Sequence, residues 1–366
     1  MLDETTYRIA LQYQTNYNNK LIRKLIDDCG SATRAFLDPA PFFSSLRGTR
    51  KIFPKPVITP AIFDCIRKER QWMEENDVEL CFFTDQNYPE RLKNCNDAPY
   101  MFYHKGKNNF NSEKMISIVG TRNATSYGRK IVRQIMEEVA PYGISVISGL
   151  AEGIDTEAHE QALFFGLPTI AVLGSGLDFI YPYSNIKLAG NIVERGGALV
   201  SEYSFRTKPD RPNFPKRNRL IAGMADAVLV IETATKGGSI ITARIAHSYN
   251  RDVFAVPGSV FDTYSSGCHE LIRKNMAALV TSGNDLIEMM GWDQEPVKMV
   301  QRELFTELSA DEELIVEMIR QKESVSIDDI NLNCTAFSPS RVAGILLGLE
   351  LKGLVKCLPG KIYKLL

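Results

Sequence analysis

"SIVGTRNATSYGRK", residues 117–130, carries the decision about the fold. A mostly apolar run ends in Gly120, an arginine stands two places later, and helical spacing sets in from Ser126. A buried strand, a glycine turn and a helix make an anion-binding corner. The turn's N–H groups and the helix N-terminus aim partial positive charge at one point. Two familiar forms of that corner are missing. The stretch has neither the three glycines of a dinucleotide fingerprint nor the Gly-Lys-Ser/Thr of a P-loop.

The pattern repeats outward from there. "MISIVG" (115–120), "ISVISG" (144–149), "PTIAVLG" (168–174), "ALVSE" (198–202), "DAVLVIE" (226–232), "DVFAVPG" (252–258) and "AALV" (277–280) are separated by segments of helical length. Runs that are apolar throughout suit strands covered on both faces. Strands alternating with helices imply a doubly wound parallel sheet. The expectation is an α/β protein with a Rossmann-like, doubly wound parallel sheet in a domain over 111–290. Residues 1–110 read as a small helical domain with a connector of short strands and prolyl turns. In it, Leu21, Ile22, Leu25 and Ile26 keep helical intervals and the helix stops at Gly30. A linker is expected near 291–305. The order helix, short helix, helix, strand pair then predicts a winged-helix-like domain over 306–366.

Bulk properties narrow the class. At 366 residues the chain has room for two or three domains. Its start shows no basic segment followed by an apolar run, and no 18 consecutive residues are apolar. Neither a signal peptide nor a transmembrane helix is therefore expected. The seven cysteines are scattered, odd in number and never spaced CxxC. That suits reduced thiols in a cytoplasm and argues against a disulfide or zinc framework. No metal and no cofactor is expected.

A net charge of −1 argues mildly against a general polyanion binder, yet the charge is unevenly spread. Residues 114–136 hold five basic side chains and no acid, and 205–219 hold six against one aspartate. Residues 301–318 are strongly acidic instead.

In an open parallel sheet, ligands sit beyond the carboxyl ends of the strands. The segments there are 120–126, 148–155, 174–182, 233–239 and 257–259, all glycine-containing. Ser126 and Ser239 read as helix N-caps, and Asp155 as a cap with His159 on the surface one turn later. Glu202 and Glu232 end two strands, where they would pair with nearby arginines. The second strand ends in Ser148 and Gly149, with no acid for a ribose 2′-hydroxyl, which leaves DNA compatible. Arg122, Lys216, Arg217, Arg219 and Lys236 supply charge without an accompanying general base. Tyr127, Phe179 and Tyr181 are the aromatic candidates for stacking on bases.

"SIVGTR", "SGLAEGIDTEAH", "VLGSGLDFIYPYSN", "FPKRNRLIAG", "GGSIITARIA" and "FAVPGS...SSGCHELIR" stand in this order. Together they resemble DNA-processing protein A, the DprA/Smf family of bacterial single-stranded-DNA-binding proteins. The resemblance implies an extended Rossmann domain in a non-enzymatic protein whose strand-end pocket grips single-stranded DNA. It also implies a homodimer that loads the RecA recombinase during natural transformation. Carried over residue by residue, the DNA contacts would be Gly120, Thr121 and Arg122; Lys216, Arg217, Asn218 and Arg219; and Lys236, Gly237, Gly238 and Ser239. The dimer contact would involve Leu271, Ile272, Met276 and Leu279.

The rival is a nucleoside-monophosphate phosphoribohydrolase of the same Rossmann group. Its Pro-Gly-Gly-x-Gly-Thr and following glutamate are reduced here to a Gly-Gly, with Ala243 or Arg244 in the glutamate's place. The family's helix-hairpin-helix-like glycine hairpin near the N-terminus is also missing from residues 11–25. The third helix of the expected winged helix shows Ser338, Ser340 and Arg341 and is then mostly apolar. That composition suits docking better than groove reading.

Overall fold

A computed structural model describes residues 2–45, 55–107, 109–293, 308–322, 325–334, 337–352, 354–358 and 361–365. The chain divides into two compact units, 1–293 and 294–366.

Each of the seven apolar runs is a strand. The sheet comprises β1 (Val78–Phe82), β2 (Met101–Gly106), β3 (Met115–Val119), β4 (Ser145–Ser148), β5 (Thr169–Val172), β6 (Ala198–Ser201), β7 (Ala227–Val230), β8 (Asp252–Ala255) and β9 (Ala278–Leu279). Their order is β1-β2-β6-β5-β4-β3-β7-β8-β9. The seven strands from β3 to β9 run parallel. The two short strands of the expected connector, β1 and β2, add an antiparallel margin beside β6. Strands β3 to β7 are buried at every position, without alternation. Cover on both faces requires that.

Alternate side chains feed two cores. Val119, Ile147, Val172 and Val230 pack with Leu220, Ile221 and Ile240 on one face. Ile116, Ile118, Val146 and Leu229 pack with Val132, Ile135 and Met136 on the other. From β3 the chain steps out through β4, β5 and β6. It then returns to pair β7 with the opposite flank of β3. That reversal leaves a crevice beyond the carboxyl ends of β3 and β7, where no crossover fills the space.

The N-terminal residues form a helical layer on the same unit. The helices Glu4–Thr15, Asn19–Cys29 and Pro60–Glu75 are each capped by a side chain, from Asp3, Asn18 and Thr59. Gly30 ends the second one in the left-handed conformation, as its glycine predicts. Ile9, Leu11, Ile22 and Leu25 join Tyr100, Tyr103 and Leu199 of the sheet in one apolar cluster.

The second unit has the expected order of elements. Helices Ala310–Lys322, Ile327–Asn333 and Pro339–Leu351 precede the strand pair Val355–Leu358 and Ile362–Leu365, which a short strand at Val325–Ser326 joins. Ile315, Ile319, Ile330, Val342, Leu346 and Leu349 form its core. Arg341 is paired with Asp311 at 2.5 Å. Of the linker expected near 291–305, residues 294–305 lie outside the described residues. Among the described residues no helix is long and apolar enough to cross a membrane.

Candidate functional site

At the switch between β3 and β7 lies a cavity of about 670 Å³. Its walls come from the turn after β3, the loop after β4, the start of helix Asn213–Met224 and the loop after β7. Two glycines make that closeness possible. A Cβ on Gly120 would meet the Ile154 side chain at 2.5 Å. Gly153 has φ +82°, and a Cβ there would meet the Thr121 carbonyl oxygen at 2.3 Å. The Thr121 N–H in turn donates to the Glu232 carbonyl at 2.6 Å, tying β3's turn to β7's end.

The acids at the strand ends are committed to structure. Glu232 is 3% exposed and, contrary to expectation, pairs with no arginine among the described residues. Its carboxylate accepts from the Thr125 N–H at 3.0 Å and the Thr125 hydroxyl at 2.6 Å. Thr125, not Ser126, caps helix Ser126–Val139, because its hydroxyl accepts from the Gly128 N–H at 3.2 Å. Ser239 is no cap either: its hydroxyl donates to Thr233 at 2.7 Å inside helix Gly238–Ser248. That helix begins at Gly237 with no capping side chain, so its N-terminus opens into the cavity as a positive pole.

Glu202 behaves as expected and pairs with Arg219. Asp155 is not the cap expected of it but the second residue of its helix, whose N-cap is Gly153. It accepts from the Ala151 N–H at 3.4 Å, beside Arg217. Burial pushes its carboxyl up to about 6, with Arg217 pulling the other way. His159 is fully buried, not on the surface, with Nδ1 2.7 Å from the Thr169 hydroxyl. Burial pushes it down to about 3, so it is neutral at neutral pH.

Of the candidate DNA-contact residues, Gly120, Thr121, Arg122, Arg217, Asn218, Gly237, Gly238 and Ser239 meet in the cavity wall. Arg122 is exposed and makes no ion pair among the described residues; its guanidinium lies 5.5 Å from the centre of the Phe214 ring. Arg217 is 5% exposed and plays a double part. It donates to the carbonyls of Gly149 (2.7 Å) and Val172, closing the ends of β4 and β5 while still bordering the cavity.

Lys216 and Lys236 are exposed near this wall without lining it. Arg219 departs from expectation. It donates to Glu202 and to the Asp97 carbonyl (2.7 Å), and a cation so neutralised is not free for phosphate.

Aromatic side chains are where the sequence pattern misleads. Tyr181 does line the cavity, with its ring 5.7 Å from that of Phe214. Tyr127 and Phe179 do not; the Tyr127 hydroxyl is bound to the Pro257 carbonyl at 2.5 Å. Phe214, Tyr264 and Arg211 line it unforeseen. Phe214 opens the "FPKRNR" segment, in which the cations dominate the sequence pattern. Phe261, on the loop after β8, is 93% exposed at the same edge of the sheet.

Comparisons with known proteins show the family. The family model described as DNA recombination-mediator protein A matches residues 79–291, and the DprA winged helix domain matches 305–361. This chain belongs to the DprA/Smf family. Protein Smf of Escherichia coli K12 is 33% identical over 310 residues, covering 80% of this chain and 79% of that one.

Among solved structures, the DprA of Streptococcus pneumoniae superposes with a TM-score of 0.64 at 32% identity. That match covers 77% of this chain and 97% of the other. The DprA of Helicobacter pylori, solved for its single-stranded-DNA binding mode, gives 0.54 at 29% identity, covering 60% and 97%. The mixed α/β sheet and the C-terminal winged helix are thus those of DprA.

Proposed function

We propose that this DprA/Smf protein holds single-stranded DNA in the crevice between β3 and β7. The observation that carries this is the unpaired Arg122 above Phe214, facing the uncapped N-terminus of helix Gly238–Ser248. Arg122, Lys216, Lys236, Gly237 and Gly238 would hold phosphates, by guanidinium, ammonium and backbone N–H. Phe214, Tyr181 and Tyr264 offer faces for bases, a contact every base can make. Arg217 shapes the floor, and Arg219 braces it from behind.

The strand-end acids Glu202 and Glu232 are both spent on structural hydrogen bonds, which supports binding without catalysis. In this proposal the protein protects incoming strands in the cytoplasm and delivers them to RecA during transformation. It acts as a homodimer joined near β9. Ile272 and Met276 are half-buried there and Leu279 is 46% exposed. Leu271 is not available to a second copy, since at 2% exposure it packs inside the monomer.

The test has two arms. Fluorescence anisotropy with labelled oligo-dT should show salt-sensitive binding that Arg122→Ala weakens. RecA filament growth on strands coated with single-strand-binding protein should start sooner when the protein is added. Unchanged filament kinetics alongside tight DNA binding would discard the recombinase role and keep the DNA role.

A further inference from the structure

We infer that the N-terminal helical layer is a positioning device for the crevice, acting through the loop after β6; this rests on the crevice being the DNA site. Residues 202–212 connect β6 to helix Asn213–Met224 and carry Arg206, Lys208 and Arg211 before leading to Phe214. Arg211 and Phe214 line the cavity.

The first half of this loop is fastened from outside the sheet. The Gln12 amide donates to the Glu202 carbonyl at 2.9 Å, and the Asn19 amide to the Glu202 carboxylate at 2.7 Å. The Tyr17 and Ser204 hydroxyls lie 2.5 Å apart. The Phe205 N–H donates to the Glu69 carboxylate at 3.1 Å, and Trp72 stacks on the Phe205 ring at 4.9 Å and 19°.

Glu69 is the telling member. It is fully buried, accepts also from the Tyr13 hydroxyl at 3.0 Å, and stands on a helix that could pack with any apolar side chain there. A buried carboxylate is costly unless its hydrogen bonds are made. One of those bonds is to the loop. The loop also needs holding: Arg206 has φ +66°, a strained conformation for a residue with a Cβ. Its N–H is pinned by the Asp178 carboxylate at 3.0 and 3.1 Å.

A path leads from this anchorage to the site. Tyr17 packs against Tyr203, with ring centres 5.9 Å apart. The Tyr203 hydroxyl donates at 3.3 Å to the carbonyl of Asn213, the first residue of the helix. The next residue is Phe214, beneath Arg122. Tyr17, Glu69 and Trp72 therefore act as positioning residues for Arg211 and Phe214, which do the contacting.

Oligo-dT binding of Glu69→Ala and Trp72→Ala across a salt series tests this. Affinity should fall roughly three- to tenfold. The log–log salt slope should lose about 0.7, one phosphate's share on a single strand. Arg211→Ala should give the same slope, and Glu69→Ala with Arg211→Ala should lose little beyond either alone. Glu69→Gln should restore binding, because its amide oxygen can still accept from Phe205. The chain has two tryptophans. In a Trp292→Phe background, Trp72 emission should shift on saturation with oligo-dT.

Wild-type affinity and slope in both alanine variants, with Trp72 emission unmoved and Arg122→Ala still defective, would overturn the positioning role and leave the crevice intact. A wild-type chain that binds no oligonucleotide would overturn both. Should Glu69→Ala not fold, Tyr17→Phe and the fluorescence arm decide by the same criteria.

Discussion

Arg122 stands in the open at the end of β3 with no carboxylate to neutralise it, so binding should turn on it more than on any other side chain. Its planar fork can make two parallel bonds to one phosphate. Losing them should cost about 1.5–3 kcal/mol, or roughly 10- to 150-fold in affinity. Lysine should recover only part, by charge alone. The melting temperature of Arg122→Ala should match the wild type, because no ion pair is lost; anisotropy beside a thermal melt checks both halves.

Asp155 gives a second handle. The folded protein keeps its proton up to about pH 6, and the unfolded chain only to about pH 4. The group therefore favours folding at pH 4 and withdraws that support as pH rises from 4 to 6. Within the fold, protonation leaves the neighbouring Arg217 without its counter-charge. Oligo-dT should then bind more tightly at pH 5.5 than at 7.5, and Asp155→Asn should flatten that difference.

Arg122 was legible because strand, glycine and cation are contiguous. Arg219 was not, since the sequence pairs Glu202 with nearby arginines and only the fold selects which one. Phe214 was hidden by its prolines and cations, which read as a basic loop with no aromatic purpose.

Unbroken apolar runs made β3 to β7 readable, because burial on both faces leaves no other use for them. The pairing of β1 and β2 was not readable. Nothing local says that two short strands between prolines will run antiparallel beside β6. Caps failed for a related reason: Thr125 and Ser126 are equally good by type, and Glu232, over a hundred positions away, selects the threonine by accepting its N–H and hydroxyl.

The strand β9 pairs only with β8, leaving its outer edge unpaired within the described residues. Proteins seldom leave such an edge bare. If a second copy covers it, Leu279→Asp should give a folded monomer, because Leu279 is 46% exposed and contributes little to the core. Sedimentation velocity with circular dichroism separates that result from misfolding; an unchanged dimer would move the interface elsewhere.

Across the full chain, net charge is nearly zero, so attraction to DNA must be local and modest. With roughly three to five phosphates held and about 0.7 for each, log affinity against log salt should fall with a slope of about −2 to −3.5. In the proposed mode, Phe214, Tyr181 and Tyr264 take bases that are free to turn inward. A blunt duplex keeps its bases stacked and paired and should compete weakly; equal affinity for duplex in a competition titration would sink the crevice. The winged helix was readable as an order of elements, but its task was not. Its Arg341, on the helix whose composition suits docking better than groove reading, is engaged with Asp311.

The bond from the Thr121 N–H to the Glu232 carbonyl joins two turns more than a hundred residues apart in the chain. That bond cannot form before β3 and β7 have come together in the sheet. The crevice therefore exists only in the closed sheet, and an unfolded chain does not bring its walls together. A ligand that recognises only the finished state acts as a mass-action clamp: at a hundredfold excess over its Kd it adds about 2.7 kcal/mol to stability. In a cell flooded with single strands, cargo and chaperone would be the same molecule.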